Sequence, residues 1–332
     1  MSRASGIGSW RGTDVREALR VVRDLLADSA FGLPYLPELP ARGPGAELVG
    51  RTAGLLVDLP VDLQPSGWRL VDRPGQDLHR TQSLMRQDLD ELAEAFDGYE
   101  GELKIALAGP WTLASSVWLA RGERALTDPG AARDLLASLT EGLRQHIEAV
   151  AAAVPGASLV VQIDEPGLPA VLDGRLPTAS GYGRVRAVSA PAVSDGLREV
   201  LSGAGEHPTV IHCCAPDVPL PLLQTTGVGA VSLDTSLLSP AGEESVGTCV
   251  EQGLGLWAGV VPTDPTSGAS TATVAAQGLV AMWQRLGLER SGLDPVVLTP
   301  ACGLAGVLPA QARRLQQVCL DAARELTEAA GS

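Results

Sequence analysis

Residues 158–166 read Ser-Leu-Val-Val-Gln-Ile-Asp-Glu-Pro, a short apolar run that ends in two acids and a proline. Valine, leucine and isoleucine without polar alternation are typical of a parallel strand that is covered on both faces. In barrels of alternating strands and helices, the working residues lie at the carboxyl ends of the strands. The stretch therefore predicts a buried parallel strand with Asp164 at its functional end.

The same pattern repeats along the chain, where apolar runs alternate with longer amphipathic segments. Eight runs are strand-like: residues 6–10, 33–36, 104–108, 158–163, 209–212, 230–233, 255–261 and 295–299. Eight strands interleaved with helices predict an α/β fold, a single (β/α)8 TIM barrel formed by residues 1–332 as one domain. A doubly wound open sheet is the alternative, although the sequence contains neither G-x-G-x-x-G nor a P-loop.

Six segments between the predicted strands have helical periodicity: residues 14–26, 76–96, 131–154, 191–202, 271–286 and 309–330. Asp14 precedes the first of them and is typical of a helix N-cap. The second predicted strand ends at residue 36 and the third begins at residue 104, which is more chain than one barrel unit needs. We expect an extra helix and a loop in this insertion, with residues 62–68 as a rim over the barrel mouth.

The charge balance excludes two classes of partner. The chain has 332 residues and a formal net charge of −14, and Lys104 is its only lysine. Nucleic acids and anionic membranes are bound by clusters of lysine and arginine, so neither is expected as a partner. No apolar run reaches the roughly 18 residues of a membrane span, and the N-terminus has no apolar signal segment. We therefore expect a cytoplasmic protein.

Metal-binding side chains follow three of the predicted strands. His212 and Cys214 lie at the end of the fifth, Asp234 follows the sixth, and Cys302 follows the eighth. His212 and Cys214 are two residues apart, so they can point to the same side of an extended chain. One imidazole, two thiols and one carboxylate suit tetrahedral zinc better than magnesium or calcium. The alternative is that the cysteines are only small buried residues, as free cysteines commonly are.

Six segments make the sequence similar to a known family. They are Ile7-Gly-Ser-Trp10, Leu107-Ala-Gly-Pro-Trp-Thr-Leu113, Val161-Gln-Ile-Asp-Glu-Pro-Gly-Leu168, Ile211-His-Cys-Cys214, Ser232-Leu-Asp-Thr-Ser236 and Thr299-Pro-Ala-Cys-Gly-Leu304. In this order they resemble the C-terminal catalytic domain of cobalamin-independent methionine synthase, within the superfamily that includes uroporphyrinogen decarboxylase. The resemblance covers nearly the whole chain.

The resemblance implies a zinc-dependent methyltransferase that converts homocysteine to methionine. Its zinc would bind the substrate thiol as a thiolate, since an ordinary thiol with a pKa of about 8.5 is mostly protonated at neutral pH. His212, Cys214 and Cys302 match the metal ligands of the family. Asp234 stands where the family usually has a glutamate, so its shorter side chain must reach the metal by a shift of the backbone or of the ion.

The resemblance also implies how the amino acid is held. The backbone of Ile7, Gly8 and Ser9 resembles the segment that receives the substrate carboxylate. Asp164 matches the catalytic-site aspartate that binds the ammonium group, and Glu38 is a candidate for a second acidic contact.

The resemblance leaves the methyl donor open between methyltetrahydrofolate and a methylated corrinoid protein. We expect no N-terminal barrel for folate, and residues 259–265 lack the histidine that serves the family as an acid, which leaves Asp264 as the nearest ionisable candidate. Two other functions remain open. One is a non-catalytic protein that binds methionine or homocysteine, and the other is a decarboxylase-like member of the superfamily that needs no metal.

Overall fold

A computed structural model describes residues 1–264 and 271–331 of the chain. Its strands are β1 (Arg3–Ala4), β2 (Val61–Gln64), β3 (Gly67–Leu70), β4 (Glu102–Ala108), β5 (Ser158–Asp164), β6 (Thr209–Cys213), β7 (Ala230–Asp234), β8 (Gly255–Val261) and β9 (Val297–Pro300). Seven of them form a curled sheet of parallel strands in the order β1-β9-β8-β7-β6-β5-β4. This arrangement confirms the predicted TIM-like barrel.

Residues 32–36 close the barrel between β1 and β4. Gly32 pairs with Ala4 on one side, and Tyr35 pairs with Lys104 on the other. The backbone amide of Lys104 donates to the carbonyl of Pro34 at 2.9 Å, which completes the contact with β4. The second predicted strand, residues 33–36, therefore holds the position of a barrel strand through short bridges.

The first predicted strand was placed too late in the sequence. β1 spans only Arg3–Ala4, and residues 6–10 follow it as an irregular run whose single bridge joins Ser9 to Glu38. The reason is that the carbonyls of Gly6 and Ile7 turn into the barrel, where they accept hydrogen bonds from Lys104. A carbonyl engaged in this way cannot take part in a ladder with a neighbouring strand.

Helices surround the sheet in alternation with the strands. They are α1 (Val15–Val22), α2 (Leu48–Ala53), α3 (Gln76–Ala95), α4 (Pro110–Ser116), α5 (Pro129–Ala153), α6 (Leu168–Leu172), α7 (Ala190–Ser202), α8 (Leu220–Gln224), α9 (Pro240–Glu251), α10 (Ala272–Leu286) and α11 (Pro309–Ala330). The Asp14 side chain accepts a hydrogen bond from the amide of Glu17 at 3.1 Å, so the predicted cap of α1 is confirmed. Among the described helices, none combines the length and apolar character that crossing a lipid bilayer requires.

The insertion before β4 contains α2, the antiparallel hairpin β2–β3 and α3. The predicted helix at 76–96 is confirmed, and residues 62–68 form most of the hairpin. Trp68 anchors this hairpin, because its indole donates to the Glu47 carboxylate at 2.6 Å and its carbonyl accepts from the amide of Trp118 at 2.8 Å. Trp118 follows α4, and α4 begins directly after the carboxyl end of β4. The hairpin therefore lies on the side of the barrel where the parallel strands end.

Strand alternation separates an apolar base of the barrel from a polar mouth. The base is a small inner core that consists of Leu33, Val160, Val210, Ala230, Trp257 and Val297. One inward position further along each strand, β5 carries Gln162, β6 carries His212 and β7 carries Ser232, and all three side chains are buried. The outward residues of the same strands pack against the helices in the main hydrophobic core. Apart from Lys104, which lies level with Val160 on the neighbouring strand, the polar inward side chains of these strands therefore lie toward their carboxyl ends.

Candidate active site

The predicted site residues from β5, β6 and the loop after β9 meet at the mouth of the barrel. Asp164 is in register with His212, and His212 is in register with Ser232 on the next strand. The sulfur atoms of Cys214 and Cys302 lie 3.3 Å apart, although the two residues are 88 positions apart in the sequence. Asp164 lies within electrostatic range of both His212 and Cys302. These four residues form one cluster.

The imidazole of His212 is held with one nitrogen free. Its Nδ1 lies 3.0 Å from the hydroxyl of Ser232, which orients the ring. Its Nε2 is buried and has no hydrogen-bond partner among the described residues. Buried polar atoms in proteins normally have a partner. An imidazole that is oriented by a hydrogen bond at one nitrogen and unpaired at the other is typical of a metal ligand.

The two thiols of the cluster are in hydrogen-bonding contact. The pKa of Cys302 is lowered chiefly by the contact with Cys214, and the nearby His212 acts electrostatically in the same direction. The pKa of Cys214 is raised, first by its hydrogen bond to Cys302 and then by burial. The neighbouring Cys213 is fully buried on the opposite face of β6, and burial raises its pKa to about 12. Only Cys214 and Cys302 are therefore placed to act together.

Asp234 does not join this cluster. Its carboxylate accepts hydrogen bonds from the amide of Ser236 at 2.9 Å and from the Ser236 hydroxyl at 2.6 Å, and so caps the short turn Thr235–Leu237. Across residues 1–264 and 271–331, no three His, Cys, Asp or Glu side chains stand in a metal-binding arrangement. The thiol pair and the unpaired imidazole nitrogen nevertheless match the donor atoms that zinc prefers. Asp234 as fourth ligand stays a prediction.

The backbone of Ile7, Gly8 and Ser9 lies next to the thiols, because Ser9 packs against Gly303, the residue after Cys302. We call the space bordered by this backbone, Glu38 and Asp164 the recess. Within the described part of the chain, the amides of these three residues donate to no acceptor. The groups around them are paired, since the Glu38 amide donates to the Gly8 carbonyl at 3.1 Å and the Leu304 amide donates to the Ser9 carbonyl at 2.8 Å. Three successive free amides form a site that suits an anion such as a carboxylate.

Two buried carboxyl groups face this recess. Glu38 is 4% exposed, and its Oε1 has no partner among the described residues. Burial raises the pKa of Glu38 to about 7, against the opposing effect of Arg51. Asp164 is 5% exposed and accepts a hydrogen bond from the Gln162 amide at 2.6 Å. Burial raises the pKa of Asp164 as well. A cation placed between the two groups would stabilise the ionised form of both.

The adjacent acid, Glu165, has a different role. It is fully buried, and its carboxylate accepts from the amides of Trp111 and Thr112 and from the Thr112 hydroxyl at 2.7–2.9 Å. These contacts cap the N-terminus of α4 and leave Glu165 outside the recess. Of these two neighbouring acids, Asp164 therefore belongs to the candidate site, whereas Glu165 stabilises the N-terminus of α4.

One residue of this region, Lys104, is not among the site residues predicted from the sequence. It is fully buried inside the barrel, and its ammonium donates to the carbonyls of Gly6 and Ile7 at 2.6 Å each and to the side-chain oxygen of Gln162. A signal was present in the sequence. The only lysine of the chain stands inside an apolar strand, where a cation has to be held by specific partners.

Two of the comparisons with known proteins give matches. Residues 2–325 match the family model described as the catalytic domain of cobalamin-independent synthase. A similar solved structure is a B12-independent methionine synthase from Shewanella sp. W3-18-1 in complex with selenomethionine, with a TM-score of 0.66 and 13% sequence identity, covering 99% of this chain and 98% of that one. No curated protein sequence matches this chain.

A weaker structural likeness is to the carboxyl transferase domain of Rhizobium etli pyruvate carboxylase. Its TM-score is 0.35 at 13% identity, over 99% of this chain and 54% of that one. The family match covers nearly the whole sequence, and the methionine synthase has the same barrel fold. The chain thus belongs to the cobalamin-independent synthase family, and it is a methyltransferase of that kind, matching the family's catalytic domain.

Proposed function

We propose that this protein transfers a methyl group to the thiol of homocysteine and so forms methionine, with zinc as its cofactor and the whole chain acting as one catalytic unit. One observation carries the proposal. The Cys214–Cys302 pair and the unpaired Nε2 of His212 lie beside a recess that offers three free backbone amides and two buried carboxyl groups. Such a recess suits the carboxylate and ammonium groups of an amino acid, and the neighbouring thiol cluster suits a metal that binds sulfur.

His212, Cys214 and Cys302 would hold the zinc, and Asp234 would complete the set once it leaves Ser236. When bound, zinc lowers the pKa of a coordinated thiol and so keeps it in its nucleophilic thiolate form. The Ser232 hydroxyl keeps the His212 ring in place through its contact with Nδ1. The barrel walls bury this ring, which limits its movement.

The chain's own residues would bind the amino-acid end of homocysteine. The amides of Ile7, Gly8 and Ser9 donate to its carboxylate. Asp164 and Glu38 accept from its ammonium group, whose charge favours the ionised form of both acids. The Ser9 carbonyl is bonded to Leu304, two residues after Cys302, so the amino-acid site and the thiol site are held in contact. The substrate would therefore bind with its sulfur directed to Cys302.

As the methyl donor we propose methyltetrahydrofolate, with Asp264 as the nearest acid to serve it. Nothing supports a corrinoid protein as donor, and the family description itself names cobalamin-independent enzymes. We propose a cytoplasmic enzyme whose partners are small molecules, with neither nucleic acid nor membrane among them.

The test is to purify the protein without added metal, measure its zinc content, and assay methionine formation from homocysteine and methyltetrahydrofolate. We expect about one zinc per chain, loss of activity after chelation, and recovery on addition of zinc. A folded protein that binds methionine but forms none from this donor would favour the non-catalytic binding function. Activity unchanged by complete removal of zinc would exclude the metal.

A further inference from the structure

Lys104 occupies a position where a charged side chain is costly. Its side chain is fully buried, and among the described residues no carboxylate lies within ion-pair distance of its ammonium nitrogen. Burial lowers the pKa of Lys104 to about 7, while Asp164 and Glu38 act in the opposite direction from further away. Removing an ammonium from water is unfavourable unless all its hydrogens are bonded. A methionine at this position would avoid that cost.

All three hydrogens of the Lys104 ammonium have acceptors. Two are the successive carbonyls of Gly6 and Ile7, each 2.6 Å away, and the third is the side-chain oxygen of Gln162. Gln162 in turn donates to the Ile7 carbonyl at 2.8 Å and to Asp164 at 2.6 Å. Lys104 thus joins the segment after β1 to the acid at the end of β5.

This contact determines the direction of the neighbouring amides. The described chain has no cis peptide bond, and in a trans peptide the N–H of each residue points opposite to the carbonyl of the residue before it. Because the Gly6 and Ile7 carbonyls point at Lys104, the amides of Ile7 and Gly8 point away from it. Gly8 lies beside Glu38 and beside Ala106. On β4, Ala106 is one inward position nearer the mouth than Lys104. These amides therefore face the recess.

Glycine at position 6 makes this arrangement possible. A Cβ atom there would lie 2.3 Å from the ring of Tyr35, so a larger residue would push the segment away from the barrel interior. The same ring lies 5.3 Å from the Lys104 ammonium, within the range of a cation–π contact. The segment is therefore held from two sides.

We propose that Lys104 is a positioning residue for the substrate carboxylate. By holding the Gly6 and Ile7 carbonyls, it turns the amides of Ile7 and Gly8 toward that carboxylate and places a positive charge behind them. The inference rests on the proposed function, and it names what the site selects: amino acids are bound in preference to amines of the same length that lack the carboxyl group.

The test compares the binding of L-methionine with that of 3-methylthiopropylamine, the same molecule without its carboxyl group, by titration calorimetry. The wild type should prefer methionine by about 100-fold or more, as expected for an anion bound by several amides. Lys104→Met should reduce this preference by about 30-fold, chiefly through weaker methionine binding. Its affinity for the amine should change by less than about threefold, because the amine makes no contact with the amides.

Two further variants separate positioning from general damage. Glu165→Gln removes an equally buried acid that caps α4 outside the recess, so it should lower the melting temperature and keep the preference within about twofold. Gln162→Leu removes the second donor to Ile7 and should reduce the preference in the same direction as Lys104→Met, which tests the inference even if Lys104→Met fails to fold.

Each outcome is decisive. If Gln162→Leu and a folded Lys104→Met both keep the preference for methionine over the amine, the positioning role of Lys104 is overturned. The proposed function would remain intact. A wild type that binds neither ligand would contradict the proposed function as well. If the variants bind both ligands more weakly by the same factor, and Glu165→Gln does so as well, the role of Lys104 is merely structural.

Discussion

The barrel mouth has two halves that differ in how far the chain itself assembles them. In the amino-acid half, Lys104 and Gln162 already hold the segment that contains Ile7, and the free amides face the recess. In the thiol half, Cys214 and Cys302 are in contact, but Asp234 is bonded to Ser236. One half is preorganised, and the other lacks one of its predicted members.

The difference follows from the charges involved. In the amino-acid half, an ammonium and an amide bind carbonyl oxygens, so its members attract one another without a ligand. In the thiol half, the predicted members are an imidazole, two thiols and a carboxylate, and the last three repel one another when ionised. Such a set is normally held together by the cation that it binds. The comparison predicts that mutations in the thiol half remove the reaction, whereas those in the amino-acid half weaken the binding of substrate.

The largest effect is expected for Cys302→Ala. Loss of this thiol should lower methyl transfer at least about 1,000-fold and remove the zinc, because one of the two proposed thiolate ligands is lost. The matched control is Cys213→Ala, which removes a neighbouring buried thiol on the opposite face of β6 and should keep both zinc and activity. Metal analysis and a methionine assay on the same preparations provide the measurement. Equal zinc in the two variants would contradict the assignment.

The next effect is expected for Asp164→Asn. The substitution keeps the shape of the side chain and removes the charge that faces the substrate ammonium, so KM for homocysteine should rise about 100-fold. KM for methyltetrahydrofolate should change little. Glu165→Gln serves as the control, since its carboxylate contacts only α4 and its loss should leave both KM values unchanged. If steady-state kinetics show the larger rise in Glu165→Gln, the roles of the two acids are reversed.

A smaller effect concerns Asp234 and sharpens the comparison directly. If Asp234 joins the metal, Asp234→Ala should weaken zinc binding about 10- to 100-fold. Ser236→Ala removes the hydroxyl hydrogen bond to the same carboxylate and leaves the bond from the backbone amide, so it should strengthen zinc binding a few-fold. Competition with a chelator of known affinity measures both. Identical zinc affinity in wild type and Asp234→Ala would leave His212, Cys214 and Cys302 as the complete protein ligand set.

The smallest effect concerns the fold around both halves. His146 is buried in α5, and burial lowers its pKa from 6.5 to about 3, with Arg51 acting in the same direction. Between these values the unfolded chain binds more protons than the folded one, so the free energy of unfolding falls as the pH falls. His146→Leu should reduce the loss of unfolding free energy between pH 6 and pH 4 by about 2 kcal/mol.

Denaturant titrations of the metal-free protein at both pH values measure this slope. The control is His79→Gln, which replaces an exposed histidine on α3 and should leave the pH dependence as it is in the wild type. A steeper loss of stability in His146→Leu than in the wild type would contradict the sign.

The sequence by itself determined the parts that depend on neighbours along the chain. Alternating apolar runs and helical periods predicted the barrel, because strand and helix repeats are local. Polar residues after these runs located Asp164, His212, Cys214 and Cys302, since parallel strands all end at one face. The closing strand at residues 33–36 was also predicted, although bridges rather than a regular ladder hold it.

Only the tertiary structure decided how these residues are used. Lys104 lies 98 residues from the Gly6 carbonyl that it binds, and no local pattern connects the two. The same holds for the separation of Asp164 from Glu165, because the partners of Glu165, Trp111 and Thr112, lie 54 and 53 residues away in the sequence. Each depends on which groups remain unpaired once the barrel has closed. A buried polar group must find a partner in space, and only the closed barrel determines which partners are within reach.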